Sequence, residues 1–130
     1  MKRILLLLIL LGFTVSLSSC VNISKFEDKY IEAGYTYSEN SSYIVESLLL
    51  EFEYDEVDVS MYAFTKPGRV AIIVEFDKIS DIEKSLDSNI TLMNIISKFD
   101  SDSLIKKKFL IIPIATTEIG EQEIIDIFND

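Results

Sequence analysis

The stretch VDVSMYAFTKPGRVAIIVEF, residues 57–76, restricts the possible folds more than any other part of the chain. In its first half Val57, Val59, Met61 and Ala63 alternate with Asp58, Ser60, Tyr62 and Phe64, the period of two that sends side chains to opposite faces of a strand. Pro67 and Gly68 then take the central positions of a turn between Lys66 and Arg69. Proline holds φ at about −65° in the first position, and glycine supplies the positive φ that a type II turn requires in the second. The returning strand, RVAIIVEF, is apolar on both faces at Ala71, Ile72, Ile73 and Val74. Such a strand needs cover above and below, so the hairpin is expected at the centre of a sheet with helices packed on it.

The flanking segments supply those helices. In SKFEDKYIEAGY, Phe26, Tyr30 and Ile31 recur at helical spacing. Ser24 and Glu27 form a capping-box pattern, and Gly34 is a stop signal. In NSSYIVESLLLEF, Ile44, Val45, Leu48, Leu49 and Phe52 make one helical stripe after Asn40 or Ser41. The alternation of Leu50, Phe52 and Tyr54 with Glu51, Glu53 and Asp55 keeps a strand as the rival over residues 42–54. After the hairpin, Ile79, Ile82 and Leu86 predict a helix capped by Asp77, Ser80 or Asp81. Asp87-Ser88-Asn89 breaks it before a second helical piece with Leu92, Ile95, Ile96 and Phe99. Phe109 to Ala115 reads as a third strand, with Pro113 arguing for an exposed edge or strand end. A last helix packs Ile124, Ile125 and Phe128. The expected fold class is α+β: a small three-stranded sheet, made of the hairpin and one later strand, covered by helices. The direction of the third strand is left open. If it is parallel to its predecessor, the crossover is right-handed.

With 130 residues, 48% of them hydrophobic, the chain suits one ordinary domain. Lys2 and Arg3 precede an apolar run, whereas every Asp and Glu follows it. From Cys20 onward ten basic residues face twenty-two acidic ones, a net charge of −12. Such a surface repels phosphate backbones, which argues against a nucleic-acid partner. It also repels anionic head groups, so the body is expected to stand off a membrane rather than lie on it. His and Trp are absent, which removes the commonest general base and the commonest metal ligand.

The N-terminus, MKRILLLLILLGFTVSLSSC, has two cations, then eight apolar residues from Ile4 to Leu11, then small polar residues. Extended to Leu17 the segment reaches fourteen residues, short of the roughly 20 that cross a bilayer as a helix. This is the grammar of an export signal. Leu17-Ser18-Ser19-Cys20 resembles the lipobox of bacterial lipoproteins: an aliphatic residue, two small residues and the modified cysteine. The resemblance covers the export segment alone; beyond it the chain is similar to small lipoproteins of low-GC bacteria in composition only. It implies a cleaved signal peptide over residues 1–19 and a diacylglyceryl group, with acyl chains such as palmitate, on the Cys20 thiol. A short lipid-anchored tether over residues 20–23 and a single globular domain over 24–130 follow. The implied location is the cell membrane, on its extracytoplasmic side. A lone cysteine has no intrachain disulfide to make, and tethering through two or more acyl chains is stable.

Other residues present candidate chemistry, each with a plainer reading. The acidic run Glu51, Glu53, Asp55, Glu56 and Asp58 is a candidate for a divalent cation or a basic partner. It lacks the glycine bend of a calcium loop and reads better as a solvated face. FDSDS, residues 99–103, has no closing glutamate in the right place, so no metal is expected. Lys106-Lys107-Lys108 is a candidate grip for an anionic group, but reads better as gatekeepers that keep the adjoining FLIIPIA strand soluble. Tyr35, Tyr37 and Tyr43 are candidates for stacking on sugars or a protein partner, with packing as the default. The chain has no SxxK pattern of the penicillin-recognising kind, with SDN and KTG beside it, and no GxSxG; no enzyme activity and no cofactor are expected.

Two functions remain. One is a non-catalytic binding or interaction module of an envelope lipoprotein, meeting an envelope protein partner or a small ligand through an uncovered side of its sheet. The other is a structural or accessory envelope lipoprotein with no small-molecule site. Burial of Ala71, Ile73, Leu110 and Ile112 under helices would remove the basis of the first.

Overall fold

The computed structural model describes residues 22–38 and 43–130, and the side chains of residues 43 and 44 are not among what it describes. The element order is α1 (Ile23–Glu32), β1 (Thr36–Ser38), α2 (Tyr43–Tyr54), β2 (Val59–Lys66), β3 (Arg69–Phe76), α3 (Ser80–Ser88), α4 (Ile90–Ile96), α5 (Ser101–Leu104), β4 (Ile105–Lys106), β5 (Phe109–Ala115) and α6 (Glu118–Asn129). The α+β class holds, but the sheet has five strands in the order β1-β2-β3-β5-β4 rather than three. All its pairings are antiparallel, including β3 with β5. The two additional strands are three and two residues long. Neither is long enough to show a period in sequence; they exist because longer neighbours offer them a ladder.

The hairpin forms as its residues require. Lys66 pairs with Arg69 around the turn, and Gly68 has φ +77°. Residues 43–54 are helical, so the 3.6-residue stripe of Val45, Leu48 and Phe52, all buried, prevails over the shorter alternation. Two cap assignments are corrected. The α1 cap is Asn22, whose side chain accepts from the Lys25 N–H at 3.4 Å, in place of Ser24. At α3, Ile79 occupies the cap position with no side-chain bond, so none of Asp77, Ser80 and Asp81 caps it. Asn89 marks the break after α3, where its side chain accepts from the Leu92 N–H at 2.9 Å and starts α4. Gly34, at φ +94°, closes α1: its N–H meets the Ile31 carbonyl and the Tyr35 N–H meets that of Tyr30, satisfying carbonyls that a helix end leaves orphaned.

Register assigns the faces. Phe64, Ala71 and Pro113 share one row across the sheet, and Tyr62, Ile73 and Ile111 the next. Onto that face pack α1 and α6, with the Tyr30 ring stacked on Phe64 at 5.5 Å and Phe26 edge-on to Phe109 at 5.0 Å. The opposite face carries Ile72, Val74, Phe76, Leu110 and Ile112. There α2 lays Phe52 against Phe76 at 5.7 Å, with α3 and α4 beside it. Ala71, Ile73, Leu110 and Ile112 are all fully buried. Helices thus cover both faces of the central strands, and the uncovered apolar sheet face considered from sequence is absent at these residues.

Edge protection follows from the same layers. β4 pairs only with Phe109 and Leu110, so β5 has a single neighbour from Ile111 onward, and Pro113 lies in that part, as its missing N–H demands, but it is buried within the strand and not at an exposed edge or strand end. Lys98, two residues past α4, pairs at 2.6 Å with the buried Glu121 of α6. This ion pair joins helices from opposite faces around the open edge of β5 and shields a ladder on which another chain could grow.

Candidate functional site

The residues singled out from sequence do not form one site, although Asp58 and Lys108 line the same cavity. Cys20 and the leader lie outside the described residues. The acidic run divides between the end of α2 and the start of β2. Glu51 accepts from the Thr91 N–H at 3.5 Å, and Asp55 accepts from the Ser88 hydroxyl at 3.1 Å, both tying α2 to the α3–α4 junction. Glu56 stands at φ +59° in the bend that follows. Asp100 caps α5 by accepting from the Asp102 N–H at 3.3 Å. Among the described residues no group of three or more Asp, Glu, Cys or His side chains is placed to hold a metal ion. Tyr35 is buried, Tyr37 is half-exposed with its ring 5.6 Å from Phe64, and the Tyr43 side chain lies outside the described set. The tyrosines therefore form no stacking platform among the described residues.

The densest polar arrangement lies at the hairpin end and brings together residues that sequence reading did not connect. The turn sets Lys66 and Arg69 side by side on the α1/α6 face. Glu123 of α6 stands between them, 3.7 Å from Lys66 Nζ and 3.6 Å from Arg69 Nη2. The Tyr35 hydroxyl donates to Glu123 Oε1 at 2.8 Å. Lys66 also donates to the Ala33 carbonyl at 3.0 Å and lies over the Tyr35 ring, where its charge suits the negative end of α1. Burial pushes the Tyr35 phenol up from its ordinary value, and the hydrogen bond to Glu123 adds to it. Gly120 lets α6 approach this closely: a Cβ there would stand 2.9 Å from Ala115 Cβ and 3.0 Å from Arg69 Nε. The only sequence signal was the pair of cations flanking Pro67-Gly68; their partner lies more than fifty residues further on.

At the other end of the sheet Tyr62 donates to Glu75 at 3.2 Å, and Glu75 pairs with Lys108 at 3.1 Å. Burial, then the Glu75 charge, raises the Tyr62 phenol. A cavity of about 200 Å³ beside this pair is lined by Asp58, Ser60, Glu75, Asp77 and Lys108. Two larger cavities are more apolar: about 350 Å³ between α3 and α4, among Leu86, Met93, Ile96 and Phe99, and about 340 Å³ at the hairpin end, among Thr65, Lys66, Arg69, Val70, Ile114 and Thr116. The first has two serines as its polar lining, Ser97 and Ser101, few for orienting a small ligand, and at the second Lys66 and Arg69 are engaged by Glu123.

A serine, a lysine and a carboxylate do meet where Ser88 and Lys84 of α3 reach Asp55. The Ser88 hydroxyl faces the Asp55 carboxylate and the Lys84 carbonyl, while the Lys84 amine donates to the Asp55 carbonyl. These bonds fasten α3 to the end of α2. Comparison of the chain with protein-family models, with curated proteins and with solved structures returns no match.

Proposed function

We propose that the chain is an extracytoplasmic lipoprotein, held at the cell membrane by a diacylglyceryl group on Cys20, and that it acts there without catalysis as an accessory or structural component of the envelope. The residue order Leu17-Ser18-Ser19-Cys20 after a charged and then apolar leader carries this reading. Its fit to the fold supports it: α1 is already capped at Asn22, so the first hydrogen-bonded turn begins two residues after the acylated position. No helix among the described residues is long and apolar enough to cross a membrane.

The accessory role is favoured over binding through the sheet because Ala71, Ile73, Leu110 and Ile112 are covered. An interaction module would have to use the helical surface, where Leu50 and Tyr54 of α2 and Ile90 and Met93 of α4 are exposed.

Intact-mass analysis and membrane fractionation of the wild type against Cys20→Ala test the anchor. The wild type should lack residues 1–19, carry the diacylglyceryl mass and sediment with membranes, and Cys20→Ala should carry no lipid. A bare thiol with the leader still attached would overturn the reading. Pull-down of the lipidated wild type with envelope extract tests the role. Specific capture of a protein, lost on substituting Leu50 and Tyr54 by serine, would replace the accessory role with the interaction module.

A further inference from the structure

Charge is not spread evenly over this acidic body. Lys25 and Lys29 stand one turn apart in α1, and between them Phe26 packs on Phe109. That contact brings the β4–β5 connection, with Lys106, Lys107 and Lys108, beside the first turns of α1. Lys29 donates to the Asp130 main-chain oxygen at 2.7 Å and Lys106 to the Phe128 carbonyl at 3.4 Å, so both converge on the end of α6. Burial, then the proximity of Lys106, lowers the proton affinity of Lys29. Five of the ten basic residues that follow Cys20 therefore share the corner at which the chain enters the fold. Acids are present at this end too. Glu75 pairs with Lys108, Asp130 lies beside Lys29, and Glu27 and Asp28 belong to α1. Asp58 and Asp77 line the cavity on the β2 side. Glu27, Asp28 and Asp130 thus lie on the elements that carry Lys25 and Lys29 or meet Lys106, while Asp58, Glu75 and Asp77 lie with Lys108 on the β2 side.

We propose that this lysine corner seats the domain on the anionic phospholipid head groups of the membrane that holds Cys20. The inference rests on the lipid-anchor reading and deepens it. From Cys20 to the cap residue Asn22 the chain spans at most about 7 Å, less than the Debye length of about 8 Å at physiological salt. An acyl anchor at Cys20 thus holds the α1 entry inside the range over which lysines are drawn to an anionic leaflet, and the leash is too short for that corner to turn away. The net negative charge predicts a body that stands off; the placement of the lysines predicts one corner seated and the acidic remainder directed outward.

The test uses the lipidated chain inserted into preformed vesicles of phosphatidylcholine alone or with roughly 30 mol % phosphatidylglycerol, pulse-labelled with an impermeant amine-acetylating reagent and read residue by residue by mass spectrometry. Acetylation of Lys25, Lys29, Lys106 and Lys107 should slow at least about threefold on the anionic vesicles, with Lys66 and Lys98 at the hairpin end unchanged. The difference should vanish at about 0.5 M salt. In Lys25→Glu/Lys107→Glu, protection of Lys29 and Lys106 should be lost. Lys25→Arg/Lys107→Arg should keep it, and circular dichroism of both variants should match the wild type. Equal labelling on the two vesicle types, in protein whose mass includes the lipid, would overturn the seating and leave the anchor standing. A mass without lipid would overturn both.

Discussion

The Tyr30 hydroxyl donates to the Ile124 carbonyl oxygen at 2.8 Å in a fully buried contact across 94 residues of chain, joining α1 to α6 above the sheet. A buried hydroxyl without a partner is costly, whereas a net hydrogen bond contributes only about 1 kcal/mol. Tyr30→Phe, which keeps the ring on Phe64 and removes the donor, is expected to lower unfolding stability by about 1–2 kcal/mol, read as a lower urea midpoint at unchanged slope.

Alkali should act through the same tyrosines. Burial raises Tyr30, and burial raises Tyr35 and Tyr62 alongside Glu123 and Glu75 respectively. For a phenol with a raised folded-state value, the unfolded chain loses its proton first. Stability is therefore full below the unfolded value of about 10 and falls as pH rises above it. Urea midpoints measured from pH 8 upward should stay level to about pH 10 and then decline, with a shallower decline in Tyr30→Phe.

Gly120→Ala tests helix propensity against packing. Alanine favours a helix over glycine by about 1 kcal/mol, yet the added Cβ meets Ala115 Cβ and Arg69 Nε, and Ala115 has no side-chain torsion through which to yield. Overpacking should prevail, with a net loss of about 1–3 kcal/mol in thermal or urea unfolding. A stabilised variant would show that α6 shifts freely over β5.

Lys98→Ala removes the partner of a carboxylate that is almost wholly buried. The expected loss is about 1–3 kcal/mol, larger than the contribution of the longer contact between Lys66 and the more exposed Glu123, about 0–1 kcal/mol. Lys98→Ala/Glu121→Gln should recover part of the loss, as a double-mutant cycle would show.

Ser85 and Asn89, one turn apart at the α3–α4 junction, bury a hydroxyl and an amide nitrogen that have no hydrogen-bond partner among the described residues. Ser85→Ala should be neutral or stabilising by up to about 1 kcal/mol. Asn89→Ala, which also removes the α4 cap, should cost about 1 kcal/mol. Paired urea titrations distinguish the two.

Legibility from sequence varied with the range of the interaction. The hairpin was readable because its alternation, its Pro-Gly turn and its apolar return strand all act within twenty residues. The break at Asn89 was readable because a cap is local chemistry, although the α1 cap was misassigned by two residues between Ser24 and Asn22, both competent acceptors. β1 and β4 were not readable, since segments of three and two residues carry no period and form by borrowing the ladders of β2 and β5. The Tyr35–Lys66–Arg69–Glu123 cluster was not readable for a related reason. Each residue is ordinary where it stands, and only the packing of α6 over the hairpin brings Glu123 between the cations. The lysine run at 106–108 was visible as a run, but nothing in sequence placed Lys25 and Lys29 beside it.

By itself, the sequence determined the central hairpin, the helical stripes and the sign of the overall charge, because each follows from neighbouring residues or from a simple sum. Only the tertiary structure decided that both faces of the sheet are covered, that β5 runs antiparallel to β3, and that half of the basic residues after Cys20 gather where the chain enters the fold. The physical reason is that covering a face, choosing a strand neighbour and clustering like charges all depend on contacts between residues far apart in the chain, and these contacts are set by how the buried apolar surfaces of Phe26, Phe64, Phe76 and Phe109 fit together.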